Sequence, residues 1–127
     1  MTSKNTPETS DVRVSGFEPL ITPAAAAAEF PLTETASKTV LQGRYDINEA
    51  LAGRDKRMVI IAGPCSIHDP KSAMEYARNL AALKEELADQ LILVMRVYFE
   101  KPRTTVGWKG YIYDPGCDES HDMNRGL

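Results

Sequence analysis

The chain has 127 residues, of which 43% are hydrophobic and 26% charged, so it can form one domain with a buried core. Its formal net charge of −3 argues against nucleic acid or a membrane surface as a partner. Two cysteines are too few for a disulfide scaffold, no segment resembles a signal peptide, and no apolar run approaches the ~20 residues of a membrane helix. A reducing, cytoplasmic location is therefore expected.

The amino-terminal part of the chain predicts a helical extension, which we assign to residues 1–53. Its first twenty residues are polar and interrupted by prolines and a glycine, which indicates a flexible or partner-docked start. A short helix is predicted after Thr22, with Pro23 at its first position. A longer helix is predicted between Thr33 as N-cap and Gly53 as terminator. Its apolar positions recur at helical spacing, at Ala36, Val40, Ile47 and Leu51.

The remaining residues, 54–127, begin with the pattern of a β-α-β unit. Residues 57–63 and 91–99 are short continuous apolar runs, typical of strands that are buried on both faces in a parallel sheet. Between them Asp69 can cap a helix that has Pro70 at its first position. A parallel strand pair with a right-handed crossover follows. The helix has one apolar stripe, formed by Ala73, Tyr76, Ala77, Leu80, Leu83 and Leu87.

The residues after Phe99 are rich in proline, glycine and polar side chains, which predicts a long loop with a helix starting near "NRGL". Two parallel strands with one covering helix would leave the outer edges and one face of the sheet bare. We therefore expect the chain to be the amino-terminal piece of a larger protein, or to need partner chains.

Two loops of the predicted β-α-β unit carry side chains suited to chemistry. "GPCSIHDP" follows the first strand, and "RVYFEKPRT" ends the second. Because ligand sites in parallel α/β folds lie at the carboxyl ends of the strands, Cys65 is expected to neighbour Arg96, Lys101 and Arg103. Local positive charge in an acidic chain favours a small anionic ligand, although a solvated surface is the ordinary alternative.

The individual residues leave alternatives open. Arg96 needs an anionic partner because an unpaired buried charge is costly; that partner is either an internal carboxylate or a carboxylate or phosphate ligand. The Lys-Pro-Arg-Thr segment, residues 101–104, is either a phosphate clamp or an exposed loop. Cys65 is an inert packing residue, a nucleophile, or one ligand of a metal that requires further donors. His68 is expected to shape the loop before the Asp69 cap, and we treat Cys117 and His121 as incidental.

"AGPCSIHDP" and "MRVYFEKPRTTVGWKG" closely resemble the class I 3-deoxy-D-arabino-heptulosonate 7-phosphate (DAHP) synthases, which carry out the first committed step of the shikimate pathway. The similarity runs from about "TPAAAAAEFPLT" to the last residue. The resemblance implies a (β/α)8 TIM barrel of ~250 residues, of which this chain would hold the start after the helical extension. It also implies condensation of phosphoenolpyruvate with erythrose 4-phosphate, with release of phosphate. The isolated chain is expected to be poorly folded and inactive.

The resemblance further implies roles for single residues. Cys65 would bind a divalent metal of the Mn, Fe, Co or Zn type, and Arg96 would contact phosphoenolpyruvate. Lys101 would contact both substrates and donate a proton to the developing alkoxide. The family's other metal ligands, a His, a Glu and an Asp, would lie on later strands. The other implied contacts, which line the erythrose 4-phosphate site, are Pro102, Arg103 and Thr104.

The resemblance also implies partners for the full-length protein: an aromatic amino acid effector and further copies of itself, in a dimer or tetramer. The wording of "TPAAAAAEFPLT" favours the tyrosine-sensitive branch. Two alternatives remain open. One is the related 3-deoxy-octulosonate 8-phosphate synthase, and the other is a truncated, non-catalytic subunit that binds partners or an effector.

Overall fold

The computed structural model describes residues 9–102 and 106–127, which contain four helices and two strands. The helices of the extension, the β-α-β unit and the short last helix are all confirmed. In chain order the elements are α1 (Pro23–Glu29), α2 (Glu34–Leu51), β1 (Met58–Ala62), α3 (Pro70–Glu86), β2 (Leu91–Met95) and α4 (Met123–Gly126). No helix within the described ranges is long and apolar enough to cross a membrane.

Both helices of the extension begin at the threonines that the sequence predicts. The Thr22 hydroxyl accepts the N–H of Ala25 at 3.2 Å, and the Thr33 hydroxyl accepts the N–H of Ala36 at 3.1 Å. Each contact satisfies a backbone donor that has no partner within its helix. Helix α2 ends just before Gly53, whose φ of 74° lies in the left-handed region that glycine adopts without strain.

Helix α3 begins at an aspartate that caps two backbone donors. The Asp69 carboxylate accepts the N–H of Ser72 at 2.8 Å and the N–H of Lys71 at 3.3 Å. Its hydrogen bonds with Ser72 favour the ionised form and hold the pKa of Asp69 below its usual range. The cap fixes where the loop after β1 ends and the helix starts.

This lowered pKa predicts an acid-sensitive helix start. Ionised Asp69 should stabilise the folded chain fully above its unfolded pKa of about 3.9, and the stabilisation should be lost as pH falls through the lower folded pKa. Asp69→Asn keeps a capping oxygen but removes the titrating group. The difference in unfolding midpoint between the two proteins, followed by circular dichroism, should therefore shrink on acidification. Two pH profiles that stay parallel would contradict this assignment.

The two strands form a parallel pair, as predicted. Their register runs from Met58 opposite Leu91 to Ala62 opposite Met95. The amino-terminal end of the pair is fixed by Arg57, which precedes β1 and donates to the carbonyl of Ala88 at 3.1 Å.

The second strand is shorter than predicted, because regular pairing ends at Met95 rather than at residue 99. Beyond Ala62, β1 is followed by a glycine and then by Pro64, which has no N–H to donate. The regular pairing of the two strands therefore does not continue. Two backbone contacts still extend beyond the pair. The Arg96 N–H donates to Ala62 at 2.8 Å, and the Ile67 N–H donates to Tyr98 at 2.7 Å. The segment after β2 is therefore held against the loop after β1.

Burial on both faces of the strands, expected from their apolar runs, is not found in the described chain. Ile67 and Ile92 are the buried hydrophobic residues of the described ranges, whereas Met58 and Ile61 on β1 are 63% and 68% exposed. The reason is that α2 and α3 do not cover both faces of the two-stranded sheet. The expected bare edges and face are thus confirmed. The predicted stripe of α2 is likewise uncovered except at Ile47, with Ala36, Val40 and Leu51 exposed.

Candidate functional site

The loops after the two strands meet at Cys65. Arg96 donates from Nη2 to the Cys65 carbonyl oxygen at 3.2 Å, and Lys101 donates from Nζ to the Cys65 sulfur at 2.6 Å. The prediction that this thiol and these cations are neighbours is confirmed. Arg103 and Thr104, which complete the predicted cationic segment, lie outside the described residues.

Gly63 allows the two loops to approach this closely. A Cβ atom at this position would collide with the carbonyl oxygen of Arg96 and would lie 2.9 Å from the Arg96 Cβ. Both contacts are tighter than ordinary packing, and the first is with backbone that cannot rotate away. The lack of a side chain at Gly63 therefore sets the spacing between the segment that carries Cys65 and the segment that carries Arg96.

Gly63→Ala should consequently destabilise the protein by about 1–3 kcal/mol, the usual cost of overpacking. Its match is Gly43→Ala within α2, where a Cβ would meet nothing within 4 Å and alanine is the better helix former. That control should be neutral or stabilising by up to about 1 kcal/mol. Denaturant unfolding measures both, and equal stabilities for the two variants would show that the approach at Gly63 is not tight.

Arg96 is half-buried at the end of β2, and the described residues leave part of its guanidinium unsatisfied. Its Nε is buried and has no hydrogen-bond partner within residues 9–102 and 106–127, and no ion pair in those ranges involves Arg96. The Arg96 Cζ lies over the ring of Tyr98, 4.1 Å from the ring centroid. No internal carboxylate pairs with Arg96 in the described ranges.

The segment that carries Lys101 is organised by backbone pairing. The Lys101 N–H donates to the carbonyl of Lys109 at 2.6 Å, and Glu100 forms an isolated antiparallel bridge with Gly110. Gly110 has a φ of 129°, and a Cβ there would collide with the backbone of Phe99 and Glu100. Lys101 and Pro102 line an open cavity of about 480 Å³. The segment therefore has defined backbone contacts on each side of residues 103–105.

Asp114 organises the rest of this long loop. It is 5% exposed, and its carboxylate accepts the N–H groups of Asp118 and Glu119 at 3.4 and 3.2 Å. The Trp108 indole donates to the Asp114 carbonyl at 2.7 Å, which is a packing role rather than an exposed stacking surface. Cys117 is exposed in the same loop.

The chemistry of the Cys65 sulfur fits one ligand of a divalent metal. The residue is exposed, and an ammonium group donates to its sulfur, an arrangement that suits an anionic thiolate. Within the described ranges, no group of three or more histidine, cysteine, aspartate and glutamate side chains is placed to hold a metal ion. The Cys65 sulfur is a donor of the type that a soft or borderline metal accepts, and such a metal would need further ligands.

Comparison with known proteins identifies the family. The sequence profile of the DAHP synthetase I family matches residues 29–127. The chain belongs to this family. The resemblance carried by the two motifs around Cys65 and Arg96 is thereby confirmed.

Named members of the family align with nearly the whole chain. The tyrosine-inhibited phospho-2-dehydro-3-deoxyheptonate aldolase of Candida albicans is 50% identical over 94% of the chain and 32% of its own length. The Phe-sensitive aldolase of Escherichia coli K12 is 52% identical over 94% of the chain and 34% of its own length. The chain thus spans about a third of the length of these relatives. Relatives named for tyrosine, phenylalanine and tryptophan sensitivity have similar identities, so similarity does not select the effector.

A solved structure agrees with the fold of the chain. The phospho-2-dehydro-3-deoxyheptonate aldolase of Francisella tularensis superimposes with a TM-score of 0.83 at 42% identity, covering 89% of this chain and 33% of that one. The small α/β arrangement with a two-stranded parallel sheet is therefore the fold of the matching part of a family member.

Two residues of the site were not found from the sequence. Gly63 could have been noticed because a glycine between a buried strand and a proline often marks a close backbone approach. Tyr98 lies two residues after Arg96, but both follow the end of β2, so no strand pattern placed its ring beside the guanidinium.

Proposed function

We propose that the chain is the amino-terminal part of a longer DAHP synthase, comprising a helical extension and the start of a TIM barrel. The whole protein condenses phosphoenolpyruvate with erythrose 4-phosphate to form DAHP and phosphate. Support comes from the family match, from relatives three times as long, and from the uncovered faces of β1.

The observation that carries the proposal is that Cys65 lies within hydrogen-bond distance of both Arg96 and Lys101. Cys65 offers a sulfur to a metal, while its carbonyl and its sulfur accept hydrogen bonds from Arg96 and Lys101. A metal-type ligand and two cations within hydrogen-bond reach suit a reaction between two anionic substrates, one of which carries an aldehyde.

In the proposed reaction, Arg96 binds phosphoenolpyruvate through the guanidinium donors that the described residues leave unsatisfied. The enol carbon attacks the aldehyde carbon, and the aldehyde oxygen becomes an alkoxide. Lys101 donates a proton to that oxygen and contacts both substrates. Water then adds to the cationic carbon of the former enol, and phosphate leaves. Pro102, Arg103 and Thr104 line the erythrose 4-phosphate side.

Cys65 supplies one ligand of a divalent ion of the Mn, Fe, Co or Zn type, and the other ligands come from the remainder of the enzyme. When bound, that ion polarises the aldehyde as a Lewis acid. The role of the chain itself is to hold the sulfur that would bind the ion within hydrogen-bond distance of the Lys101 ammonium group.

We also propose that the complete protein is a homo-oligomer, a dimer or tetramer, inhibited by an aromatic amino acid. Support for the inhibition is that the named relatives are described as tyrosine-inhibited, Phe-sensitive or Trp-sensitive. The preference for tyrosine rests on the wording of "TPAAAAAEFPLT" alone, and the oligomeric state on the family resemblance.

The Arg96 assignment gives the test. In the full-length, metal-loaded enzyme, Arg96→Ala should raise the KM for phosphoenolpyruvate by about a hundredfold or more, since it removes a charged hydrogen-bond partner. Arg96→Lys should restore little of the affinity for phosphoenolpyruvate, because an ammonium group cannot reproduce the parallel N–H donors of the planar guanidinium. Phosphate release with both substrates measures the effect, and the isolated 127-residue chain should give no turnover. An unchanged KM for phosphoenolpyruvate in Arg96→Ala would refute the proposed function of this site.

A further inference from the structure

Tyr98 is the aromatic residue that contacts the guanidinium of Arg96. The Arg96 Cζ lies 4.1 Å from the ring centroid, well inside the range of a cation–π interaction. Both residues follow the end of β2 and lie two positions apart in the sequence. The contact is therefore local in the sequence.

The backbone of Tyr98 is itself fixed. Its carbonyl oxygen accepts the N–H of Ile67 at 2.7 Å, and Ile67 is 4% exposed. The ring is therefore attached to a segment that is tied to the loop after β1, although Tyr98 as a residue is 52% exposed. A fixed backbone with an exposed ring makes Tyr98 a platform for a neighbouring side chain rather than part of the core.

The guanidinium of Arg96 thus has two separate contacts. Its Nη2 donates to the Cys65 carbonyl at 3.2 Å, and its Cζ lies over the Tyr98 ring. These two contacts restrain the group, while Nε has no partner within the described ranges. The planar donor fork can then accept an anion edge-on.

We propose that Tyr98 is a positioning residue for Arg96, a role that rests on the function proposed above. Its ring holds the guanidinium plane in the orientation that binds the anionic groups of phosphoenolpyruvate. The interaction is electrostatic, between the ring face and the cation, so the phenolic hydroxyl is not required. Tyr98 acts on the affinity for phosphoenolpyruvate and not on the affinity for erythrose 4-phosphate.

Substitutions in the full-length, metal-loaded enzyme test this role. Tyr98→Leu should raise the KM for phosphoenolpyruvate by about threefold to tenfold, while kcat and the KM for erythrose 4-phosphate change little. Tyr98→Phe and Tyr98→Trp retain an aromatic face and should keep the KM near that of the unmodified enzyme. Tyr45→Leu is the matched control, because Tyr45 is an exposed tyrosine on α2 and should have no effect.

A second series separates electrostatics from packing. Phenylalanine with one, two or three fluorine atoms at position 98 weakens the negative ring face stepwise with little change in shape. The logarithm of the KM for phosphoenolpyruvate should rise steadily along the series. This series also decides the question if Tyr98→Leu fails to fold. If the KM for phosphoenolpyruvate does not change along the series, the proposal is overturned, because packing alone would not respond to fluorination.

The Arg96 variants keep the two proposals distinguishable. If Arg96→Ala leaves the KM for phosphoenolpyruvate unchanged, the proposed function of the site fails and the role of Tyr98 fails with it. If Arg96→Ala raises that KM and the Tyr98 variants do not, only the positioning role is overturned.

Discussion

Full-length enzyme carrying Cys65→Ala is expected to lose tight metal binding and, with it, measurable condensation activity. The substitution removes a sulfur donor, for which alanine offers no replacement. Loss of an outer-shell partner weakens metal binding by about 10-fold to 100-fold, and loss of a direct ligand should exceed that range. Metal content after dialysis, measured by elemental analysis, and phosphate release in the presence of both substrates check the two effects.

The other cysteine provides the control for this experiment. Cys117 is exposed in the loop organised by Asp114, so Cys117→Ala should keep metal content and activity. Cys65→Ser tests whether the sulfur itself is needed, because serine retains the shape but is a poor ligand for a soft or borderline ion. Unchanged metal content in Cys65→Ala would show that the ligand assignment is wrong.

Lys101→Ala is expected to lower kcat by about 10²- to 10⁴-fold, the range associated with a positioned proton donor. Because the ammonium group acts on charge that develops in the transition state, kcat and kcat/KM should fall together. Steady-state kinetics with each substrate varied in turn measure this pattern. Lys101→Arg keeps the charge but displaces it and should recover little.

A lysine at the same end of the sheet serves as the comparison for Lys101. Lys71 lies in the first turn of α3 and is exposed, so Lys71→Ala should leave the kinetics unchanged. A role for Lys101 in stability alone would appear as a lowered unfolding temperature with kcat intact, and that result would remove Lys101 from the proposed mechanism.

Much of the fold could be predicted because local signals agree with it. Thr22, Thr33 and Asp69 each cap the helix that the sequence places after them, and the apolar runs form a parallel pair. The juxtaposition of Cys65 with Arg96 followed from the direction of that pair alone. These features depend on neighbours close in sequence or on a topological rule, which a single sequence carries.

Other features depend on contacts that no local pattern encodes. The apolar residues from 97 to 99 favour a strand, but β2 ends at Met95 because the partner strand is followed by Gly63 and then by Pro64, which has no N–H to donate. The apolar positions of β1 predict burial on both faces, yet Ile61 is exposed because no third layer covers it among the described residues. The placement of Tyr98 against Arg96 required knowing where the regular pairing ends.

The contacts at residue 65 have a thermodynamic consequence. One residue offers its side chain to the proposed ion and its main chain to the arginine that we propose binds phosphoenolpyruvate. If occupancy of the sulfur shifts that carbonyl, the two binding equilibria are linked, and linkage is reciprocal. The factor by which the ion raises the affinity for phosphoenolpyruvate must then equal the factor by which phosphoenolpyruvate raises the affinity for the ion, so the enzyme would bind its metal more tightly with this substrate bound.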